Sequence, residues 1–564
     1  MPASDLIKDT TFGHLLRAVC GPHILPHSDE LATIGRQTGK LPSPVPENST
    51  AEQDAKRQEI RTDNDARRLT EPDSGTSTAI GIDSLVLEKS EKADIMLVGW
   101  NGPNDPDNPQ NWSSGKKGWV LFQTCFFTFA IYIGSSIYTA GLSDVQETFH
   151  VSEVAATLGL SLFVAGFGIG PMLWAPLCEI PQIGRLPVYM ATLPVFVLFM
   201  IPTALATNFG MLLAFRFITG FIGSPVLANG GANIADMYHP QNRAYAMTAW
   251  GVFALIGPVL GPLLGGFAAH AKGWTWTMWE LMWLSGFTLV MTFFFFPETS
   301  ADNILYRRAR RLRKATGNDR LRAQSEIENA ETTASERLSK AIVTSIALNF
   351  VEPIVLVLNI YTGLIYALLY IWFESFPIVF IGIYGFREQF LGLAYLGILC
   401  GVLAVAPFFL AYLKYVLEPR HSASGDLRPE ERLPIVIFVA PVVAICLFWF
   451  GWSSRENVHW IVPIIGSSLF GCSLILFFNA ILNYLADAYP MYAASVLAGN
   501  DLVRSCFGAT FPLFARAMYR RLGVGWASTL LGLLACAFIP IPVFLYRYGE
   551  RIRLSSKRAR HDYH

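Results

Sequence analysis

The chain has 564 residues, 52% hydrophobic and only 15% charged, with 43 basic residues balancing 43 acidic ones. Its apolar residues gather in runs too long and too many for a water-soluble protein of this size, which excludes that class. The eight cysteines form no CxxC pair and seven fall in or beside apolar runs. They read as small packing residues, implying neither a disulfide framework nor a metal site.

Residues 1–98 are polar and rich in Ser, Thr, Asp, Glu and Pro. They offer too little apolar surface to offset ordering entropy, so a disordered tail is expected. Residues 1–30 lack the apolar core and small-residue cleavage site of a signal peptide, which leaves insertion to the first span. The stretch Gly99–Trp112, GWNGPNDPDNPQNW, differs in kind. Pro, Asn, Asp and Gly supply successive turns, and Trp100 and Trp112 offer amphipathic anchors, so this stretch should lie against the inner mouth of a helix bundle.

Crossing a hydrocarbon core about 30 Å thick takes roughly 20 apolar residues. Six runs meet that need: Trp119–Ala140, Ala155–Leu177, Val188–Ala206, Met211–Ala235, Ala244–Ala269 and Trp279–Phe296. A central loop, 297–343, with 10 basic and 7 acidic residues, separates them from six more. These are Pro353–Gly382, Phe390–Leu413, Pro434–Trp452, Trp460–Leu485, Tyr492–Phe514 and Trp526–Tyr546. In the loop, Arg307, Arg308, Arg310, Arg311, Arg313 and Lys314 at helical spacing would lie along the inner leaflet, where anionic lipids attract them. Their place between two spans argues against nucleic acid as a partner. A short basic tail, 550–564, ends the chain.

Twelve spans in two equal halves, 99–296 and 344–549, match the plan of a secondary transporter, in which two bundles rock about a central site. The fold class expected is therefore an all-α membrane protein of two six-helix bundles. With both termini in the cytosol, the inner loops and flanks from Lys116 onward hold 24 Lys and Arg against 6 outside. Cationic side chains favour the cytosolic side, so this sets the orientation. Sequons at Asn48 and Asn111 would then stay unglycosylated.

Five charged residues fall inside the spans: Arg216, Glu280, Glu374, Asp501 and Arg504. Such residues face a cavity or a partner, since a charge at the bilayer centre costs about 2.5–3.5 kcal/mol on insertion scales. Glu280 begins its span and reads as interfacial. Asp501 and Arg504, three apart, share a helical face, as a structural ion pair or as part of proton coupling. Glu374 reads either as a proton carrier or cation ligand, or as a wet residue near an outer vestibule. No histidine lies mid-membrane, which removes haem and multi-His iron sites, and no Walker loop occurs, so no cofactor is expected and ATP does not drive the chain directly.

In the fifth run, Gly251, Gly257, Pro258, Gly261, Pro262, Gly265 and Gly266 combine helix-kinking prolines with glycines that admit a close neighbour. This pattern is similar to the antiporter motif of twelve- and fourteen-span exporters. GWNGPNDPDNPQNW, LLAFRFITGFIG with Arg216 and Gly220, the exit Asn229, Gly230, Gly231, Asn233 and Asp236, FPETSADNILYRRARRLRKATGN, WFESFPIVF, PEERL and DAYPMYAASVLAGND extend the likeness. From Gly99 to Gly549 the chain resembles the twelve-span drug:proton antiporter family of the major facilitator superfamily, in its fungal branch of multidrug exporters.

The resemblance implies the major facilitator fold, outward export of amphipathic organic molecules in exchange for protons, and a carrier rather than an enzyme. It links Arg216 to proton transfer, through a fixed charge that would hold a nearby acid ionised in one state and release it in another. The loop after the second span departs from the family's G-x-L-x-D-r-x-G-R, reading Ala175-Pro-Leu-Cys-Glu179-Ile-Pro-Gln-Ile-Gly184-Arg185. Glu179 and Arg185 still permit a charge-relay latch. Tyr138, Asn229, Asn233, Tyr361, Tyr366, Tyr370, Phe477 and Asn483 are candidates to line the cavity, against packing or lipid-facing duty for each. The expected setting is the plasma membrane, with the lipid bilayer, a small amphipathic substrate and protons as partners to a monomer. The rivals are export of polyamines, which an acidic cavity would favour, facilitated import of a nutrient, a non-transporting sensor, and a membrane enzyme, against which the lack of intramembrane His, of a nucleophile–base pair and of a metal-ligand cluster argues.

Overall fold

A computed structural model of the chain describes residues 7–21, 24, 25, 27, 95–328, 334–420 and 427–561. Among them, 11 helices are long and apolar enough to cross a membrane. The first ten match the expected spans in order: Ser114–Phe149, Glu153–Glu179, Leu186–Ala204, Phe209–Met237, Pro240–Lys272, Thr275–Phe295, Pro353–Ile383, Glu388–Arg420, Pro429–Ser453 and Ile461–Ala488. Polar residues start several of them: Ser113, Ser152 and Asn208 accept from the free amides of Lys116, Ala155 and Met211.

The last helix, Pro490–Ser555, covers 66 residues, which would be about 99 Å if straight and far longer than one crossing. Gly523 divides it. Its φ of 74° and ψ of 161° leave the helix, in a conformation other residues rarely adopt. Residues 493–522 form the eleventh span, and the chain beyond Gly523 turns back as the twelfth, with Ser528 against Gly451 of the ninth. Twelve crossings in two bundles result, so the fold class is an all-α membrane protein.

Inside the bundles, aromatic rings interlock, as at Trp372–Phe470 and Phe376–Tyr395, both 4.4 Å between centroids. Outside, Leu198, Phe408 and Phe438 are left exposed, the reverse of a soluble core and the arrangement lipid requires. The fourth span bends where Pro225 cannot bond the Phe221 carbonyl; Trp174 Nε1 donates to that oxygen at 2.9 Å instead.

The first and last described segments lie on one face with the central loop. Thr10 bridges Pro297, Ser556 Oγ donates to Glu352 at 2.9 Å, and the Arg560 amide donates to the Ala488 carbonyl at 2.8 Å. Two expectations fail on this terminal face. The tail expected to be disordered over 1–98 contains a helix, Thr11–Cys20, whose Phe12 packs on Phe293 and Phe294 of the sixth span. It also contains a strand, Met96–Val98, paired in parallel with Leu321–Ala323 of the central loop. Most of the intervening tail, with Asn48, lies outside the described residues.

The arginine run is not wholly a lipid-facing stripe either: Arg310 and Lys314 stay exposed, but Arg307, Arg308 and Arg313 turn to protein partners. It sits on helix Ala301–Thr316, where Arg308 is buried and grips the Gly99–Trp112 segment. Its Nη1 donates to Asp105 at 2.7 Å and its Nη2 to Asp107 at 2.8 Å. Arg313 pairs with Glu326 at 2.8 Å, and Arg307 Nη1 donates to a neutral His14 at 2.7 Å. Burial would raise Asp105, but Arg308 and the amides of Asn101 and Asp107 outweigh it and hold its carboxyl below the ordinary range. Burial, with Arg307 beside it, pushes His14 down to about 4.

Candidate functional site

The two bundles meet along the second and eleventh spans and along the fifth and eighth. Small residues permit this. A Cβ at Gly392 of the eighth span would lie 2.4 Å from the Leu263 backbone, and one at Gly261 would lie 1.9 Å from Ser136 Oγ of the first span. The antiporter motif is thus wedged between two neighbours, with Gly257 and Gly265 also facing the first span.

Between the halves is a cavity of about 90 Å³. Tyr132, Trp250, Tyr366 and Phe478 give it aromatic walls, Asn479, Asn483 and Asn500 give it amides, and Gly251 and Pro258 of the motif form part of its side. Asp501 and Arg504 supply charge of both signs. They pair with each other, Arg504 Nη2 donates to Tyr132 of the other half at 3.0 Å, and its guanidinium stacks on Tyr366 at 4.8 Å. Asp501 Oδ2 and Arg504 Nε are buried without a hydrogen-bond partner among the described residues. Both atoms are therefore left for a water, or a rearrangement of the pair, to satisfy.

Towards the terminal face the cavity continues into a vestibule of about 360 Å³, with Ala228, Gly231, Met247, Asn483 and Leu497 lining both. Towards the opposite face it is shut. Tyr370 Oη donates to Ser135 Oγ across the halves at 2.9 Å, and the Gly392–Leu263 contact closes the next turn. A separate far vestibule of about 320 Å³ lies beyond, lined by Gly266, Phe373, Tyr395 and Arg516.

The structure gathers some expected residues here and sends others elsewhere. Tyr366, Asn483, Asp501 and Arg504 line the cavity, and Asn229 lines the terminal vestibule. Tyr370 belongs to the closure. Tyr361 and Phe477 pack on each other at 4.6 Å inside the second bundle, away from the cavity. Tyr138 donates to the Ala156 carbonyl and stacks on Arg216. Arg216 is fully buried; its Nε and Nη1 donate to the Gly159 and Gly134 carbonyls, both at 2.9 Å. Its partners are two carbonyls and two rings, with no carboxylate among them. Among the described residues, no acid pairs with Arg216 in this conformation.

The latch after the second span also has different partners. Glu179 is exposed at the vestibule, and Arg185 instead pairs with Asp236 at 2.6 Å and donates to Asn233 at 3.1 Å. Asn233 thereby serves the latch, not the cavity. Glu298, which sequence reasoning overlooked, accepts from the amides of Arg185, Leu186, Thr299 and Ser300. Its signal was available in FPETS, a carboxylate just after a span and before a helix start. The second half repeats the chemistry, with Arg432–Asp487 at 2.6 Å and Arg553–Glu430 at 3.0 Å.

Two six-helix halves around an interfacial cavity, open to one face and shut to the other, define an alternating-access carrier. The chain belongs to the Major Facilitator Superfamily, whose family model matches residues 124–511. It is 45% identical to Transporter mfs1 of Schizosaccharomyces pombe over 82% of this chain and 89% of that one. It is 43% identical to Fluconazole resistance protein 1 of Saccharomyces cerevisiae, covering 83% and 85%, and 34% identical to the Cycloheximide resistance protein of Candida maltosa, covering 98% and 99%. These relatives bear out the resemblance to the fungal drug:proton antiporter branch, and the chain is a transporter rather than an enzyme. The proton:xylose symporter XylE shares the fold, with a TM-score of 0.57, 13% identity and coverage of 78% of this chain and 96% of that one.

Proposed function

We propose that the chain exports amphipathic organic molecules across the plasma membrane in exchange for protons, working as a monomer with both termini in the cytosol. One observation carries this reading. The cavity is mostly apolar and aromatic, yet a charge pair with unsatisfied atoms stands in its wall and links the two halves through Tyr132. Apolar walls take a range of organic shapes, and sparse polar groups orient them. The names of the fluconazole and cycloheximide resistance relatives support efflux of such compounds.

Asp501 is the proton-exchanging acid in this scheme, and Arg504 is its counter-ion. A proton on Asp501 frees Arg504 to reorganise against Tyr132 and Tyr366, while cargo that shifts the pair and exposes the Asp501 carboxylate favours proton release. Binding of one ligand thereby opposes the other, as antiport requires. Asp501 is the only acid among the cavity's lining residues, and Arg504 already neutralises it. That balance favours neutral or weakly charged cargo over polyamines. The basic excess on the terminal side, 24 against 6, supports the orientation.

The test is expression in an efflux-deficient cell, with growth scored against toxic compounds and a fluorescent substrate followed in cells. Resistance and dye export that vanish with a protonophore fit the proposal. Dye that enters down its gradient, untouched by the protonophore, would make the chain a facilitative importer instead.

A further inference from the structure

Beyond the central cavity, four charged residues meet where the far mouth is shut. Glu153 opens the second span, Glu374 belongs to the seventh, and Arg516 and Arg520 follow on the eleventh. Arg516 Nη1 pairs with Glu153 of the opposite half, and Arg520 reaches the other oxygen of Glu153 at 2.9 Å. On its other side, Arg516 Nε lies 3.1 Å from Glu374 Oε2. Glu374 is only 1% exposed, and neither of its oxygens has a hydrogen-bond partner among the described residues. One guanidinium thus stands between two carboxylates, one in each half. Opening the far mouth must pull Glu153 away from it, while Glu374 travels with it.

We propose that Arg516 is the far-side switch of the transport cycle, and that Glu374 is its controlling carboxylate, which takes a proton from the far vestibule. With Glu374 ionised, Arg516 is shared, and separation of the halves leaves it a full partner in the same bundle. With Glu374 protonated, Arg516 belongs to Glu153 alone, and closure of the far mouth is favoured. A proton arriving from outside therefore drives the carrier towards the cytosol-facing form. That is the direction needed to collect cargo, so the inference rests on the efflux reading and its orientation. Arg516 touches no cargo-binding residue and acts by position. The other titratable group beside Glu374 is Tyr395 of the eighth span, whose Oη approaches the Trp372 and Phe373 carbonyls; Asp144, His270 and Glu388 line the far vestibule, which Tyr395 and Arg516 border.

A conformational readout separates this inference from the transport reading. Ser143, which lines the far vestibule, is replaced by Cys in a chain whose exposed Cys20, Cys400 and Cys506 are Ser. Its reaction rate with a membrane-impermeant maleimide then reports opening of the far mouth. Glu374→Gln should lower that rate by about fivefold or more, and Glu153→Gln should raise it by a similar factor, as expected for ordinary coupling between sites. Lowering external pH should slow labelling of the parent chain and leave the Glu374→Gln rate unchanged. The Glu153→Gln change is partly exposed and leaves Glu374 with its arginine, so it keeps the test valid if Arg516 variants fold poorly. Equal shifts from both substitutions, or no shift from either, would overturn the inference even if dye export is proton-driven. Normal gating shifts with no dye export would instead overturn the efflux reading alone.

Discussion

Asp501→Asn tests the coupling scheme most directly. The substitution keeps the side chain's size and its place beside Arg504 but removes the titrating charge. A charge-assisted hydrogen bond is worth about 1.5–3 kcal/mol, and Arg504 retains the Tyr132 hydroxyl and two ring faces, so the fold should survive. The transported proton would not. A proton crossing about 100 mV gains roughly 2.3 kcal/mol, and one pH unit adds about 1.4 kcal/mol. Together these sustain a cargo gradient on the order of 500-fold for one proton per neutral molecule. Inside-out vesicles with an acidified lumen should concentrate a fluorescent substrate through the parent carrier and lose pH gradient as they do so. Asp501→Asn vesicles should exchange the same dye only until the two sides are equal, with no substrate-dependent loss of the gradient. Uphill accumulation by Asp501→Asn would refute the assignment of Asp501 as the exchanging acid.

Arg308→Ala removes the guanidinium from the buried Asp105, while Asp107 keeps Lys8 at 3.3 Å, and should cost about 3–5 kcal/mol, seen as a lower melting temperature and easier proteolysis between residues 99 and 112. Because Arg308 holds Asp105 below its ordinary range, the stability it contributes is present above the unfolded carboxylate value of about 3.9 and is lost as pH falls through the folded value. His14, pushed down to about 4, acts in the window just above, where stability is lost as pH falls from about 6.5 towards about 4. Docking of helix Thr11–Cys20 should weaken below the unfolded histidine value of about 6.5, and an Arg307→Ala variant should narrow that window. Gly261→Val places a side chain into Ser136 Oγ and the Ile137 backbone nitrogen and should cost about 1–3 kcal/mol through overpacking, with dye export lost. Arg216→Ala removes two charge-assisted bonds to carbonyls of the first and second spans. Folded protein in the membrane should fall, which a fluorescence-detected elution profile would show, whereas a pure coupling role would leave that amount unchanged.

Single residues show where sequence reading stops. Phe477 was expected at the cavity, yet Phe478 lines it. Neighbours on a helix point about 100° apart, and nothing in a run apolar on every side marks which direction is inward. Arg516 and Arg520 read as loop residues because apolar character ends near Phe514, but the helix continues to Gly523 and carries them to the far mouth. The arginine run looked like a lipid-facing stripe. Asp105 and Asp107 captured Arg308 from some 200 positions away in the chain, and no local pattern encodes such a meeting. Glu179 lost its expected part in the latch because two added residues change the path to Arg185, and Asp236 and Glu298 fill the place.

The sequence by itself determined the number of crossings, the division into halves, the family and the short set of charges allowed inside the membrane. The family follows from the likeness of its motifs; the others follow from the cost of putting polar groups in lipid, a penalty written locally along the chain. The tertiary structure alone decided which of those charges meet across the halves, which face of each span looks inward, and which mouth is closed. Those depend on helix rotation and on contacts between segments far apart, and a uniformly apolar helix carries no record of either.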